Sequence, residues 1–351
     1  MRHCLAPTAA AKFVVFFFVP IAGAAAQPSA VPRIVSSEYL FEAPPFRECH
    51  AATLVETKDH GLLAAWFAGT GEGNPDVSIW MARKDEKGGT KPRVVADGAM
   101  NGSRYACWNP VLARAADSSL LLFYKVGPSP RKWFGMMKTS RDGGETWSTP
   151  VTLPVGFLGP VRNKPVRRSN GDLLCPSSVE TDNSWKIHME VLTERTFTWK
   201  KIEVDTSSGY QVIQPTILHH GDRRLQILCR SRNNVVVESW SDDDGETWSP
   251  LKPTDLPNPN SALDAVALHG GMHLLVYNPT LGGADWSAGR NRLSVALSSN
   301  GRNWEDKLVL ENESRGEFSY PAVIQTSDGF IHLVYTWNRK NIKHVVMKIF
   351  Q

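Results

Sequence analysis

Along the chain, apolar and polar residues alternate in short runs, and the runs recur. Six times a mostly polar lead-in precedes an alternating apolar strand, a Gly or Asp turn, and a second apolar strand. The six lines are "HAATLVETKDHGLLAAWFAG" from His50, "NPVLARAADSSLLLFYKVG" from Asn109, "KPVRRSNGDLLCPSSVE" from Lys164, "QPTILHHGDRRLQILCRSR" from Gln214, "DAVALHGGMHLLVYNPT" from Asp264 and "YPAVIQTSDGFIHLVYTW" from Tyr320. Alternation with period two, bounded by turn residues, predicts a β-hairpin at each. A third strand follows every hairpin: "VSIWMAR", "FGMMKTS", "IHMEVLT", "VVVESWS", "RLSVALS" and "IKHVVMKIF". The period is about 50 residues, the length of a four-stranded unit. Such units, repeated around a ring, predict an all-β, six-bladed β-propeller of antiparallel blades rather than a seven-bladed one. The last unit reaches only its third strand at Phe350, so "RIVSSEYLF" (Arg33 to Phe41) is expected to supply the fourth and close the ring.

The turn after the third strand also repeats, as "SRDGGETWS" (Ser140 to Ser148), "SDDDGETWS" (Ser241 to Ser249) and the degraded "SNGRNW" of the fifth unit. Asp can accept hydrogen bonds from the turn backbone, Gly supplies a positive φ, and Trp packs between strands. Each turn reverses the chain, so these turns fall on the face opposite the starts of the inner strands. They read as scaffold, and chemistry is expected on the other face.

Composition narrows the class. Arg2, His3 and Lys12, the run Phe13 to Val19, and Ala24-Ala25-Ala26 follow the order of a secretory signal peptide over residues 1–26. A single propeller domain over 27–351 is then expected in a secreted or periplasmic protein. The formal net charge is +4 without long basic runs, which argues against nucleic acid and suits a local basic site for an acidic ligand. No later segment has the roughly 18 continuous apolar residues of a membrane span. Cys49, Cys107, Cys175 and Cys229 could bridge in an oxidising compartment or stay as buried thiols, and none forms a C-x-x-C pair.

Aligning the hairpins places Ala51 (after His50), Asn109, Lys164, Gln214, Asp264 and Tyr320 at one height around the central channel. Buried polar side chains need partners, so this variety points to a site. Second strands return to the same mouth with Trp66, Lys125, Glu180, Arg230, Arg232, Asn278 and Trp337. Loops add Glu72, Asp76, Arg290 and Arg292, and Arg162 and Asn163 arrive beside Lys164.

The Ser-x-Asp-x-Gly-x-Thr-Trp turn resembles the Asp box of the sialidase (BNR-repeat) superfamily, over the whole chain beyond the leader. That resemblance implies three Arg on a substrate carboxylate, a Tyr nucleophile helped by a Glu, and an Asp as acid or base. Tyr320 in "FSYPAVIQTSDG" matches the Tyr, Arg230 the second Arg, Arg292 the third and Asp76 the Asp. The first Arg slot holds His50 in "CHAAT", although Arg47 in "PFREC" would serve after a register shift, and the Glu slot holds Gln214. A tyrosine has an unperturbed pKa of about 10 and needs a base to act as a nucleophile. Gln cannot be that base.

The strings "CHAATLVE", "GNPDVSIW", "CWNPVL", "FYKVGPSPR", "LGPVRNKPV", "LCPSS", "SYPAVIQTSDG" and "HLVYTW" further resemble sialidase-like proteins that include rhamnosyl-glucuronate lyases. This implies β-elimination at a uronic-acid linkage, with His50, Tyr320, Arg230 and Arg162 as catalytic residues. Trp66, Asp76, Asn109, Lys125, Lys164, Gln214, Arg232, Asp264, Asn278 and Arg292 are the candidate substrate-binding residues. Which of His50 and Tyr320 is the base stays open here. The chemistry requires no cofactor or metal, though a structural calcium on loop Asp residues would be compatible. An exo-sialidase or related hydrolase, and a noncatalytic glycan-binding propeller, are the alternatives. The expected partner is an acidic oligosaccharide or polysaccharide, met by a monomer.

Overall fold

The computed structural model describes Met1, residues 30–85 and residues 88–350. Apart from Met1, the leader expected at 1–26 lies outside the described residues. The described chain is all β, in six antiparallel sheets that follow one another as blades, with a separate two-stranded ribbon of Ala99–Met100 and Ser103–Arg104 between the first two. In blade 4 the order from channel to rim is Val212–His219, Leu225–Ser231, Val235–Ser241 and Lys252–Pro257. Blade 1 begins with Glu48–Glu56, blade 2 with Cys107–Arg114, blade 3 with Val166–Arg167, blade 5 with Asp264–Ala267 and blade 6 with Phe318–Gln325. In blade 1 the outer edge is divided, Gly88–Gly89 and Arg93–Ala96 both pairing with Ser78–Asp85. The ring closes as the sequence predicts: Val31–Tyr39 pairs antiparallel with Asn341–Phe350, from Val31 opposite Phe350 to Tyr39 opposite Lys343.

Each blade alternates apolar residues to its two faces, and the faces of neighbours meet in six separate clusters, one per blade interface. Leu112 and Leu122 of blade 2 meet Leu63 and Met81 of blade 1. Val111 and Phe123 on the opposite face of blade 2 meet Leu173 and Cys175 of blade 3. The remaining interfaces centre on Ile187 with Ile227, Leu228 with Leu275, Val295 with Leu333, and Trp66 with Val334. Full burial of one such side chain contributes about 1.5–3 kcal/mol, so the ring rests on many long-range contacts. Cys49, Cys107, Cys175 and Cys229 fall one to a cluster at four successive interfaces. All four are buried free thiols whose pKa burial raises, and none is bridged.

Register fixes the two faces. In blade 2, Ser140, which opens the Asp-box turn, is level with Leu120 and Arg114, at the end of the inner strand. Phe134, Val126 and Cys107 are level at the other end, the mouth. The Asp-box turns therefore lie away from the mouth, and each is closed by its own residues. Asp142 accepts from Ser140 Oγ (2.8 Å), Thr146 N (2.9 Å) and the Thr146 hydroxyl, while Trp147 Nε1 donates to Gly144 O at 3.2 Å. Asp243 repeats the pattern with Ser241 (2.8 Å), Thr247 N (2.9 Å), Thr247 Oγ1 (2.6 Å) and Trp248. In the degraded turn, Asn300 takes the place of Asp and accepts from Ser298, Arg302 N and Asn303 N. Neighbouring blades hold these turns: Arg93 donates to Glu145 O at 2.8 Å, and Asp244 accepts from Ser169 N and Oγ at 2.8 and 2.7 Å.

Candidate functional site

Four inner strands break their ladders near the mouth. A register shift lies opposite Ala51, Asn109, Gln214 and Tyr320, and these four residues hold φ of 55°, 38°, 55° and 54°. A bulge re-aims a side chain, and a non-Gly residue in the left-handed region costs on the order of 1–3 kcal/mol. The strain falls at four of the six slots aligned from sequence.

At the centre stands Tyr320. Its hydroxyl accepts a hydrogen bond from Arg230 Nη1 at 2.8 Å. The guanidinium carbons of Arg162, Arg230 and Arg290 lie 5.4, 5.7 and 5.9 Å from its ring centroid. Arg230 is held from the other side by Asn260 Oδ1 (3.0 Å), Asn260 O and Gln214 Oε1 (3.3 Å). Arg162 is 1 % exposed and donates through Nη2 to Pro321 O at 2.8 Å, but its Nε and Nη1 have no partner among the described residues. Burial lowers its pKa to about 10, so it stays charged near neutrality.

His50 packs on Tyr320 with ring centroids 4.1 Å apart. It is 2 % exposed, and neither ring nitrogen has a hydrogen-bond partner among the described residues. Burial, followed by the positive charges of Arg339, Arg290, Arg162 and Arg230, holds its pKa well below the usual histidine value. The imidazole is therefore neutral. Unpaired buried polar atoms are costly, and their concentration at one mouth is the strongest local signal of a ligand site.

The far wall is an ion-pair network. Glu317 accepts from Arg290 Nη1 (3.1 Å), Ser319 Oγ (2.8 Å) and Arg339 Nε (2.7 Å), and Arg339 also pairs with Glu72. Burial pushes the Glu317 carboxyl up, yet the two arginines and Ser319 outweigh it and hold the pKa below the ordinary carboxylate value. Across the mouth, burial raises the pKa of Glu180 against the pull of Arg230, Arg232 and Arg131. Arg232 lies over Trp185, 4.0 Å from its ring centroid.

The structure thus brings together His50, Tyr320, Arg230, Arg162 and Gln214, with Arg232 at the rim. Other expected residues are placed differently. Arg290, not Arg292, faces Tyr320; Arg292 starts the next strand, and its Nε has no hydrogen-bond partner among the described residues. Trp66 is fully buried in the cluster between blades 6 and 1, 5.2 Å from Phe41. Lys125 is fully buried, donates to Pro160 O, and has its pKa lowered by burial to about 7 against the pull of Glu190. Lys164 and Asp264 bind each other at 2.9 and 2.8 Å, and Asp264 also holds Thr216 Oγ1 and Val323 N. Asn278 staples Arg292 O to Phe318 O, and Asp76 holds Thr70 N and Oγ1 within its own loop. Asn109 is buried at the blade 2 bulge. A cavity of about 790 Å³ between blades 6 and 1 is lined by Phe41, Leu54 and His344 and by none of the mouth residues. Among the described residues, no three His, Cys, Asp or Glu side chains converge as metal ligands would.

Sequence reasoning missed Glu317, Arg339 and Asn260. Asn260 carries a backbone signal, φ of 54°, that residue type alone does not disclose.

The sequence matches the family described as BNR repeat-like domain over residues 60–333. No curated protein matches it significantly. Among solved structures, a protein of unknown function from Dyadobacter fermentans superposes with a TM-score of 0.74 at 15 % identity, covering 91 % of this chain and 99 % of that one. Trypanosoma rangeli sialidase gives 0.69 at 15 %, covering 91 % of this chain and 60 % of its own. The NanB sialidase from Streptococcus pneumoniae gives 0.67 at 12 %, covering 89 % and 70 %. At these identities the likeness is one of fold.

Proposed function

The chain belongs to the BNR repeat-like family, within the sialidase-like superfamily of propellers, and from that premise we propose that it is a carbohydrate-active lyase cleaving uronic-acid linkages. The observation that carries this reading is the pairing of a neutral, unpartnered His50 with Tyr320 inside a ring of arginines. A Tyr nucleophile would need a base at its hydroxyl. Among the described residues the only hydrogen-bond partner of that hydroxyl is Arg230, and Gln214 stands in the expected Glu position.

Arg162, Arg230 and Arg290 would bind the uronate carboxylate and stabilise the charge that it gathers when C5 loses its proton. His50, already neutral, would take that proton. The electron pair forms the C4=C5 bond as the C4–O bond breaks. Tyr320 accepts its hydrogen bond from Arg230, so its own O–H proton is free to go to the leaving oxygen. Return of a proton from His50 to Tyr320 resets the pair, and neither water nor an oxidant is consumed.

The test is product analysis on rhamnose-glucuronate oligosaccharides and on sialosides. Elimination yields an unsaturated uronate with new ultraviolet absorbance. Release of sugar without absorbance would replace the lyase by a hydrolase, and binding without either product would leave a noncatalytic glycan-binding propeller.

A further inference from the structure

Residues 158–163 are buried yet form no strand or helix. Buried irregular backbone has no ladder to satisfy its polar groups, so side chains must do so. Two fully buried ionisable residues from different blades supply this. Glu190, on the third strand of blade 3 (Trp185–Thr193), accepts from Leu158 N at 3.1 Å to each oxygen and from Gly159 N at 2.7 Å. Ser177 Oγ (3.1 Å) and His188 Nε2 (2.8 Å) complete its shell. Lys125, on the second strand of blade 2 (Leu120–Val126), donates to the carbonyl of Pro160. Three consecutive residues are thus gripped by a side-chain donor on one side and a side-chain acceptor on the other. Gly159 sits at φ +66°, where an added Cβ would meet the Phe123 ring at 3.1 Å. The next residues are Val161, whose N–H bonds Pro176 O at 3.0 Å, and Arg162.

Burying two ionisable side chains for a task that neutral groups could perform is costly, and what it gains is directional hydrogen bonds to a backbone that has no ladder of its own. We infer that Lys125 and Glu190, whose side chains are both fully buried, are positioning residues that set Arg162 and thereby the selectivity of the site for a carboxylate. The inference rests on the carboxylate reading above. A misplacement of about 1 Å in a positioned group can lower rates about 100-fold, so a grip this close to Arg162 has leverage.

The experiment is calorimetric binding of D-glucuronate and of D-glucuronamide to the wild type, Lys125→Met, Glu190→Gln, Arg162→Ala and the Lys125→Met/Arg162→Ala double variant. The readout is the ratio of the two affinities, which a general loss of stability does not change. The expected result is a fall of about tenfold in that ratio for each single variant, with no further fall in the double variant. If Lys125→Met does not fold, Glu190→Gln and Gly159→Ala carry the same test. The inference is overturned if folded variants keep the wild-type ratio or if the double variant loses the two effects independently. It is also overturned if all three clamp variants fail to fold, because the clamp then serves the fold. A wild type that does not prefer glucuronate would instead sink the carboxylate reading itself.

Discussion

The two faces of the ring use polar residues in opposite ways. On the far face, Asp142, Asp243 and Asn300 sit in turns where donors and acceptors come from the same few residues, and neighbouring blades fasten the turns from outside. At the mouth, both nitrogens of His50, two of Arg162 and Nε of Arg290 are buried without partners among the described residues. A repeated, acidic, Trp-bearing motif is therefore the scaffold. The unrepeated, incompletely paired side chains are where a ligand would complete the hydrogen bonding. Unpartnered buried atoms also occur away from the mouth, at Asp244 Oδ1, Trp240 Nε1 and His273 Nδ1, so what marks the mouth is that five of them gather on three neighbouring side chains, His50, Arg162 and Arg290.

The sharpest way to break this comparison is to remove the central pair. Tyr320→Phe and His50→Ala are each expected to lower turnover by about 10³-fold with the circular dichroism spectrum and melting temperature retained. Equal activity in both variants would move the chemistry elsewhere. A second probe is Arg162→Met, expected to weaken binding of a uronate about 10- to 100-fold in titrations while raising the melting temperature, because a desolvated guanidinium is replaced by a compatible apolar side chain. Loss of stability without loss of affinity would make Arg162 a structural residue. The mirror image is Asp243→Ala: affinity and turnover unchanged, and stability lowered by about 1 kcal/mol in denaturant titration, modest because the turn is partly exposed.

The smallest effect is in pH. Burial lowers the pKa of His50, of His220 to about 4 and of His344 to about 3, against 6.5 for the free side chain. The unfolded chain then binds these protons before the folded chain does, so stability falls as pH drops below about 6.5. Asp243, held below 3.8 by its turn, adds a loss only at lower pH. Carboxylate binding should stay flat across about pH 5–6, below the titration of Lys125, because the mouth arginines remain charged. Parallel loss of affinity and stability in that window would contradict the separation of the two faces.

Much of the ring was legible from sequence because its signal is redundant. Six hairpins repeat one alternation, and the "DGGETW" and "DDGETW" turns state both the period and the face. The six slots were legible as one height around the channel, but the bulges were not: Ala51 is bulged without a following Pro, and Lys164 precedes Pro without a left-handed φ. Nor was direction within a strand or loop. Arg290 and Arg292 are two residues apart, yet one closes a loop over Tyr320 and the other has entered a strand. Lys125, Lys164 and Asp264 satisfied the same polarity criterion as Arg230, and their partners, Pro160 O and each other, are long-range contacts that no local pattern encodes. Glu317 and Arg339 escaped notice because each looks like an ordinary charged turn residue until the ring brings blades 5 and 6 together around them.

The most direct test of the account follows the product of a rhamnose-glucuronate oligosaccharide by ultraviolet absorbance with the wild type, Tyr320→Phe and Asp243→Ala side by side. The account predicts an unsaturated uronate from the wild type and Asp243→Ala and none from Tyr320→Phe. Undiminished product from Tyr320→Phe, or its loss in a folded Asp243→Ala, would contradict it.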